Sequence, residues 1–138
     1  MQRYLAYGSN LCTQQMAHRC PAAQAGEVVS LPGWRFIINN RGVATILPDP
    51  AARVLGLIWH LTPDCERVLD HYEGVDIGLY RRVDLMAGHG LALVYLAADT
   101  NPGAPRPRYL EGILSAAEAL SFDPSYRSEL AAWRRRAA

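Results

Sequence analysis

The sequence predicts an α+β domain built on a mainly antiparallel sheet, and three observations point to it. Runs rich in β-branched and aromatic residues fill most of the chain up to residue 98. A single helical pattern, near residues 63–73, interrupts them, and two helical stretches close the chain. Strands and helices therefore do not alternate one for one, as a parallel α/β sheet would require. The 138 residues contain no internal repeat and no linker-like stretch, so 1–138 reads as a single domain around one core.

Residues 3–7 form the first expected strand, broken at Gly8-Ser9-Asn10. In "LCTQQMAHR", Leu11, Cys12, Met16 and Ala17 have the spacing of a short helix, capped by Ser9 or Asn10. "GEVVSLPGWRFIINN" predicts two strand pieces divided at Pro32-Gly33, and "VATIL" and "RVLGLIWHL" two more divided at Pro48-Asp49-Pro50. Thr62 and Pro63 start a helix, with Thr as N-cap and Pro where its missing N–H costs nothing. The helix "PDCERVLDHYE" sets Cys65, Val68, Leu69 and Tyr72 on one face and ends at Gly74. "LYRRVDLM" and "LALVYLAA" form a hairpin across Gly88-His89-Gly90. A Pro/Gly-rich loop at 101–107 leads into helices at about 108–120 and 124–136, the second begun by Asp123-Pro124.

Composition excludes several kinds of chemistry. The chain is 50% hydrophobic and 20% charged, the balance of a soluble globular protein, and its formal charge of +1 offers no field for nucleic acid or an anionic membrane. No stretch has the length and apolarity of a membrane span or secretory leader, so a cytoplasmic location is expected. All 14 basic residues are arginine, which removes Schiff-base, pyridoxal-phosphate and P-loop lysine chemistry. The run Arg134, Arg135 and Arg136 suits a solvated helix end. Cys12, Cys20 and Cys65 have no C-x-x-C or zinc spacing and are expected as reduced thiols. His18, His60, His71 and His89 form no i, i+4 pair, so no metal site is expected.

Two places carry candidate chemistry. A strand-to-helix turn directs backbone N–H groups outward, and glycine admits a ligand close to the main chain, so Gly8-Ser9-Asn10 has the makings of an anion cradle. The same residue types serve equally as a turn with an N-cap, and residue type alone leaves both readings open. Ser9 lies outside a G-x-S-x-G elbow, with no base identified beside it, which favours a backbone or capping role over a nucleophile. Glu73, in "LDHYEGV", sits at a helix C-terminus where the dipole opposes its ionisation; partial burial would raise its pKa into the range useful for proton transfer. An exposed helix-end glutamate is the plainer alternative, and Asp70 and Asp76 are neighbouring rivals. Tyr80 and Tyr109 read as polar-tipped pocket residues or as ordinary half-buried aromatics.

Taken together, "YLAYGSNL", "GVATI", "VLGLIWHL", "LDHYEGVDIGLYRRV", "VYLA" and "PRPRYLEGILSAAE" resemble the γ-glutamylcyclotransferases, in the family's order and across nearly the whole chain. The resemblance implies a small mixed, mainly antiparallel β-barrel with flanking helices. It implies release of 5-oxoproline from a small-molecule γ-glutamyl amino acid or amide, without metal or organic cofactor. Glu73 matches the family's acid–base glutamate, Tyr7, Gly8, Ser9, Asn10 and Leu11 its binding loop, and Tyr80 and Tyr109 its pocket tyrosines. Related activities on the same fold act on γ-glutamylamines or on glutathione, or remove a γ-glutamyl protecting group in biosynthesis. A non-catalytic module binding a small ligand or partner is the alternative of another class. The loops at 38–45 and 99–109 are expected to receive the leaving amine; their Arg41, Arg106 and Arg108 mildly favour one bearing a carboxylate.

Overall fold

A computed structural model describes residues 1–136. Its strands are β1 (Gln2–Ala6), β2 (Gln24–Ile38), β3 (Ala44–Leu61), β4 (Tyr80–Ala87) and β5 (Gly90–Ala97). They lie side by side in the order β2-β3-β1-β5-β4, with β1 parallel to β5 and every other pair antiparallel. Four helices surround the sheet: α1 (Thr13–Arg19), α2 (Pro63–Tyr72), α3 (Tyr109–Ala119) and α4 (Pro124–Ala131). The α+β class and the mixed, mainly antiparallel sheet agree with expectation.

The barrel does not. β2 and β4 are free edges of an open sheet, because the β2 ladder runs only to β3 and the β4 ladder only to β5. The edges approach through side chains at the β4–β5 turn, where a Cβ on Gly88 would lie 3.3 Å from Val29 Cγ1. Closure requires a ladder of backbone hydrogen bonds, and side-chain proximity does not supply one.

The proline-bearing strands are continuous where breaks were expected. β2 passes Pro32-Gly33 through a register shift between Pro32 and Trp34, and β3 runs unbroken through Pro48-Asp49-Pro50. β1 covers only Leu57 to Leu61 of β3, so the prolines at 48 and 50 remove no hydrogen bond to a strand on that side. The corner after β1 also differs. Ser9–Leu11 is a separate 3₁₀ turn, and α1 starts behind Cys12 without a side-chain cap.

α2 starts as the sequence indicates, with Thr62 Oγ1 accepting from the Cys65 N–H at 3.1 Å. Its buried face is narrower than expected. Cys65 and Leu69 are buried, whereas Val68 and Tyr72 are 37% and 51% exposed. Cys65 is bonded to Cys20, with Cα atoms 5.5 Å apart, which corrects the expectation of three reduced thiols; Cys12 is free. The β2–β3 hairpin returns the chain from the end of α1 to the start of α2 and so brings the two sulfurs together. Leu5, Ile38, Ile46, Ile58 and Leu61 form the core with Ile113 and Ala117 of α3 and Leu130 of α4. Each fully buried branched chain contributes about 1.5–3 kcal/mol relative to exposure.

Candidate active site

The corner after β1 and the end of α2 face each other across a cleft. Tyr7 is fixed by its hydroxyl, which donates to the Tyr95 carbonyl at 2.6 Å. Gly8 is packed so closely that a Cβ there would lie 3.2 Å from the Ala44 Cβ. The 3₁₀ turn uses the N–H groups of Leu11 and Cys12, which donate to Gly8 and Ser9 carbonyls at 3.0 and 3.2 Å. Among the described residues, the N–H groups of Gly8, Ser9 and Asn10 donate to no protein acceptor, which leaves three adjacent donors for a ligand.

Asn10 locks the corner from beneath. Its Nδ2 donates to the Tyr4 hydroxyl at 3.0 Å, its Oδ1 accepts from Arg19 Nη1 at 2.9 Å and from Gln15 at 3.2 Å, and its carbonyl accepts from Trp59 Nε1 at 3.0 Å. A buried amide satisfied this fully is rigid, because any movement leaves a desolvated polar atom unpaired.

Glu73 follows the last residue of α2, its N–H closing the helix onto the Leu69 carbonyl at 2.8 Å. Gly74 then turns the chain with φ of 64°. Among the described residues the Glu73 carboxylate makes no hydrogen bond and no ion pair, while lining the cleft. Burial pushes its pKa from 4.5 up to about 7, against the opposing pull of the Arg19 and Arg41 guanidiniums. Tyr80 and Tyr109 clasp Ala44 between them. The Tyr80 hydroxyl donates to its carbonyl at 2.6 Å, and the Tyr109 hydroxyl accepts from its N–H at 3.0 Å. Burial raises both phenols, Tyr109 to about 12, so both stay protonated at neutral pH.

The cleft has two lobes that share Ser9, Glu73, Tyr80 and Tyr109. The inner one, of about 30 Å³, is closed by Tyr4, Tyr7, Gly8 and Asn10. The outer one, of about 220 Å³, is flanked by Arg19, Arg41 and Arg106.

Of the residues singled out in the sequence, Glu73, Tyr7, Gly8, Ser9, Asn10, Tyr80 and Tyr109 converge on this cleft. Leu11 does not; it is 1% exposed and packs in the core. Asp70 is committed elsewhere, accepting from the Tyr95 hydroxyl at 2.7 Å and from Arg82 at 2.8 Å, and Asp76 is exposed. Arg41 and Arg106 reach the outer lobe, whereas Arg108 is exposed at the start of α3. Tyr4, Tyr95 and Arg19 were not foreseen. Arg19 belongs to no motif, and its place depends on where α1 ends relative to Asn10 and Tyr72. Among the described residues no three His, Cys, Asp or Glu side chains converge as a metal site, and no helix is long and apolar enough to cross a membrane.

Known proteins share this framework. The γ-glutamylcyclotransferases of Mus musculus and Homo sapiens are each 28% identical over 144 aligned residues, covering 94% of this chain and 77% of theirs. A solved γ-glutamyl cyclotransferase structure superposes with a TM-score of 0.84 at 27% identity, covering 95% of this chain and 86% of its own. The model of the AIG2-like family matches residues 53–130, from the middle of β3 through Glu73 to α4. With more than half of its length matched, the chain belongs to the AIG2-like family.

Proposed function

We propose that this protein is a γ-glutamylcyclotransferase-type enzyme, which cyclises the γ-glutamyl group of a γ-glutamyl amino acid or amide to 5-oxoproline and releases the amine. One observation carries the proposal: an unpaired, partly desolvated carboxylate, Glu73, lines the same cleft as Gly8, Ser9 and Asn10, whose N–H groups have no protein acceptor among the described residues. The similarity to proteins named γ-glutamylcyclotransferase supports it.

Such a substrate brings its own nucleophile. Its α-amino nitrogen attacks the side-chain carbonyl carbon, a C–N bond closes the five-membered lactam, and the C–N bond to the leaving amine breaks. The protein therefore needs no serine or cysteine nucleophile, and its tasks are holding the chain folded back and moving protons. The corner N–H groups hold the α-carboxylate or the developing oxyanion. Glu73, with a pKa of about 7, takes a proton from the α-ammonium and returns one to the leaving nitrogen. The Tyr80 and Tyr109 hydroxyls, fixed on Ala44, shape the wall between the two lobes.

The test is Glu73→Gln, assayed for 5-oxoproline on a panel of γ-glutamyl dipeptides and amines. Loss of a general acid–base is expected to cost on the order of a hundredfold or more in turnover while the protein stays folded. A folded variant turning over at the wild-type rate overturns the role of Glu73. A wild type that binds panel members without turning any over is a binding module.

A further inference from the structure

Glu73 is placed by a helix that has little apolar hold on the rest of the molecule. α2 runs for 10 residues, of which only Cys65 and Leu69 are buried. A helix this short is marginal by itself, and its last turn keeps its place only where tertiary contacts fix it. The bond from Cys65 to Cys20 secures the first turn. Glu73 itself secures nothing at the other end, since its carboxylate is unpaired among the described residues.

Asp70 supplies that hold. It stands three residues before Glu73 on continuous helical backbone, which puts the two side chains at adjoining positions of the helix surface. Its Oδ1 accepts from the Tyr95 hydroxyl of β5 at 2.7 Å, and its Oδ2 from Arg82 Nη1 of β4 at 2.8 Å. The other terminal nitrogen of Arg82, Nη2, donates to Glu66 Oε1 at 2.6 Å, one turn earlier on α2. Hydrogen bonds to a charged acceptor are the strong, directional kind. Tyr95 is buried and also reaches the corner. Its ring lines the inner lobe and meets the Tyr4 ring edge-on at 5.6 Å, while its carbonyl accepts from the Tyr7 hydroxyl at 2.6 Å. One residue of the sheet thus joins the last turn of α2 to the corner after β1. Asp70 lines neither lobe of the cleft, so any effect it has on the chemistry passes through Glu73.

We propose that Asp70, clamped by the Tyr95 hydroxyl and by Arg82, is the positioning residue that fixes the last turn of α2 and so holds the Glu73 carboxylate at the inner lobe. The proposal rests on the cyclotransferase reading and adds a residue to the machinery of that site.

Asp70→Ala removes both acceptors. It is expected to lower kcat for 5-oxoproline release from γ-glutamyl-alanine by about tenfold or more, with KM moving less than about threefold because the corner donors stay in place. Asp70→Asn keeps an amide oxygen for the Tyr95 hydroxyl and is expected to restore most of kcat. Tyr95→Phe should lower kcat as well, and Asp70→Ala combined with Tyr95→Phe should lose no more than the worse single variant, since both act through one bond. Additive losses, or a kcat unchanged in Asp70→Ala, overturn the proposal. Should Asp70→Ala fail to fold, Tyr95→Phe carries the test, because it keeps the ring beside Tyr4 and the carbonyl that accepts from Tyr7. A second readout needs no turnover: carbon NMR titration of the Glu73 carboxyl in the wild type and in Tyr95→Phe, a variant that changes no charge. The carboxyl is expected to titrate at about 7 in the wild type and to fall towards 4.5 in the variant, as the loosened turn lets it into water. An unmoved titration overturns the clamp. A lowered one supports it even where the wild type releases no 5-oxoproline, a result that sinks the cyclotransferase reading alone.

Discussion

At Glu73 desolvation outweighs two nearby positive charges, and the outcome can be read in two ways. The first is activity. Under the proposed role the ionised carboxylate accepts a proton, so kcat/KM should rise with pH along a limb centred near 7, the pKa set by burial. A limb near 4.5, the ordinary value, would show a fully solvated carboxyl. The second is stability. With its folded pKa above the unfolded one, the native state binds more protons between pH 4.5 and 7, so stability falls as pH rises through that window. Discounted for the carboxyl's partial contact with solvent, the cost at pH 8 is on the order of 1–2 kcal/mol. Glu73→Gln should therefore melt above the wild type at pH 8 and level with it at pH 4, as measured by thermal denaturation. A variant that destabilises equally at both values would contradict the desolvation account.

At the scale of elements, α2 places the carboxylate. Thr62 caps its start, and Gly74 turns away from its end in the left-handed region that other residues enter at a cost. A Cβ at Gly74 would also lie 2.8 Å from Leu79 Cδ1, in the wall of the outer lobe. Gly74→Ala is expected to destabilise by about 1–2 kcal/mol. It should also lower kcat by shifting Glu73, whereas an equal loss on denaturation with unchanged kcat would separate the turn from the site. Both helix ends are legible in the sequence because caps act through neighbours three or four residues away. β2 and β3 are less so. Proline and glycine ordinarily punctuate strands, and here an unpaired strand edge and a bulge absorb them.

For the whole molecule, the Cys20–Cys65 bond ties the segment after α1 to the first turn of α2 across 45 residues that include the β2–β3 hairpin. Arg19, the last residue of α1, precedes Cys20 directly, and Glu73 follows the last residue of the helix that carries Cys65. By loop-closure entropy a bond over this span stabilises by up to about 4 kcal/mol. Cys20→Ser with Cys65→Ser should lower the denaturation midpoint, and an unshifted midpoint would show that the bond constrains nothing. The absence of lysine, the two ends of α2 at Thr62 and Gly74, the break at Gly8-Ser9-Asn10 and the candidacy of Glu73 were all determined by the sequence, because residue types and short spacings carry them. The openness of the sheet, the burial of Leu11, the cysteine pairing, the choice of Glu73 over Asp70 and the arginines of the outer lobe were decided by the tertiary structure alone. Each depends on which distant segments become neighbours, and desolvation, ion pairing and edge closure are properties of those surroundings.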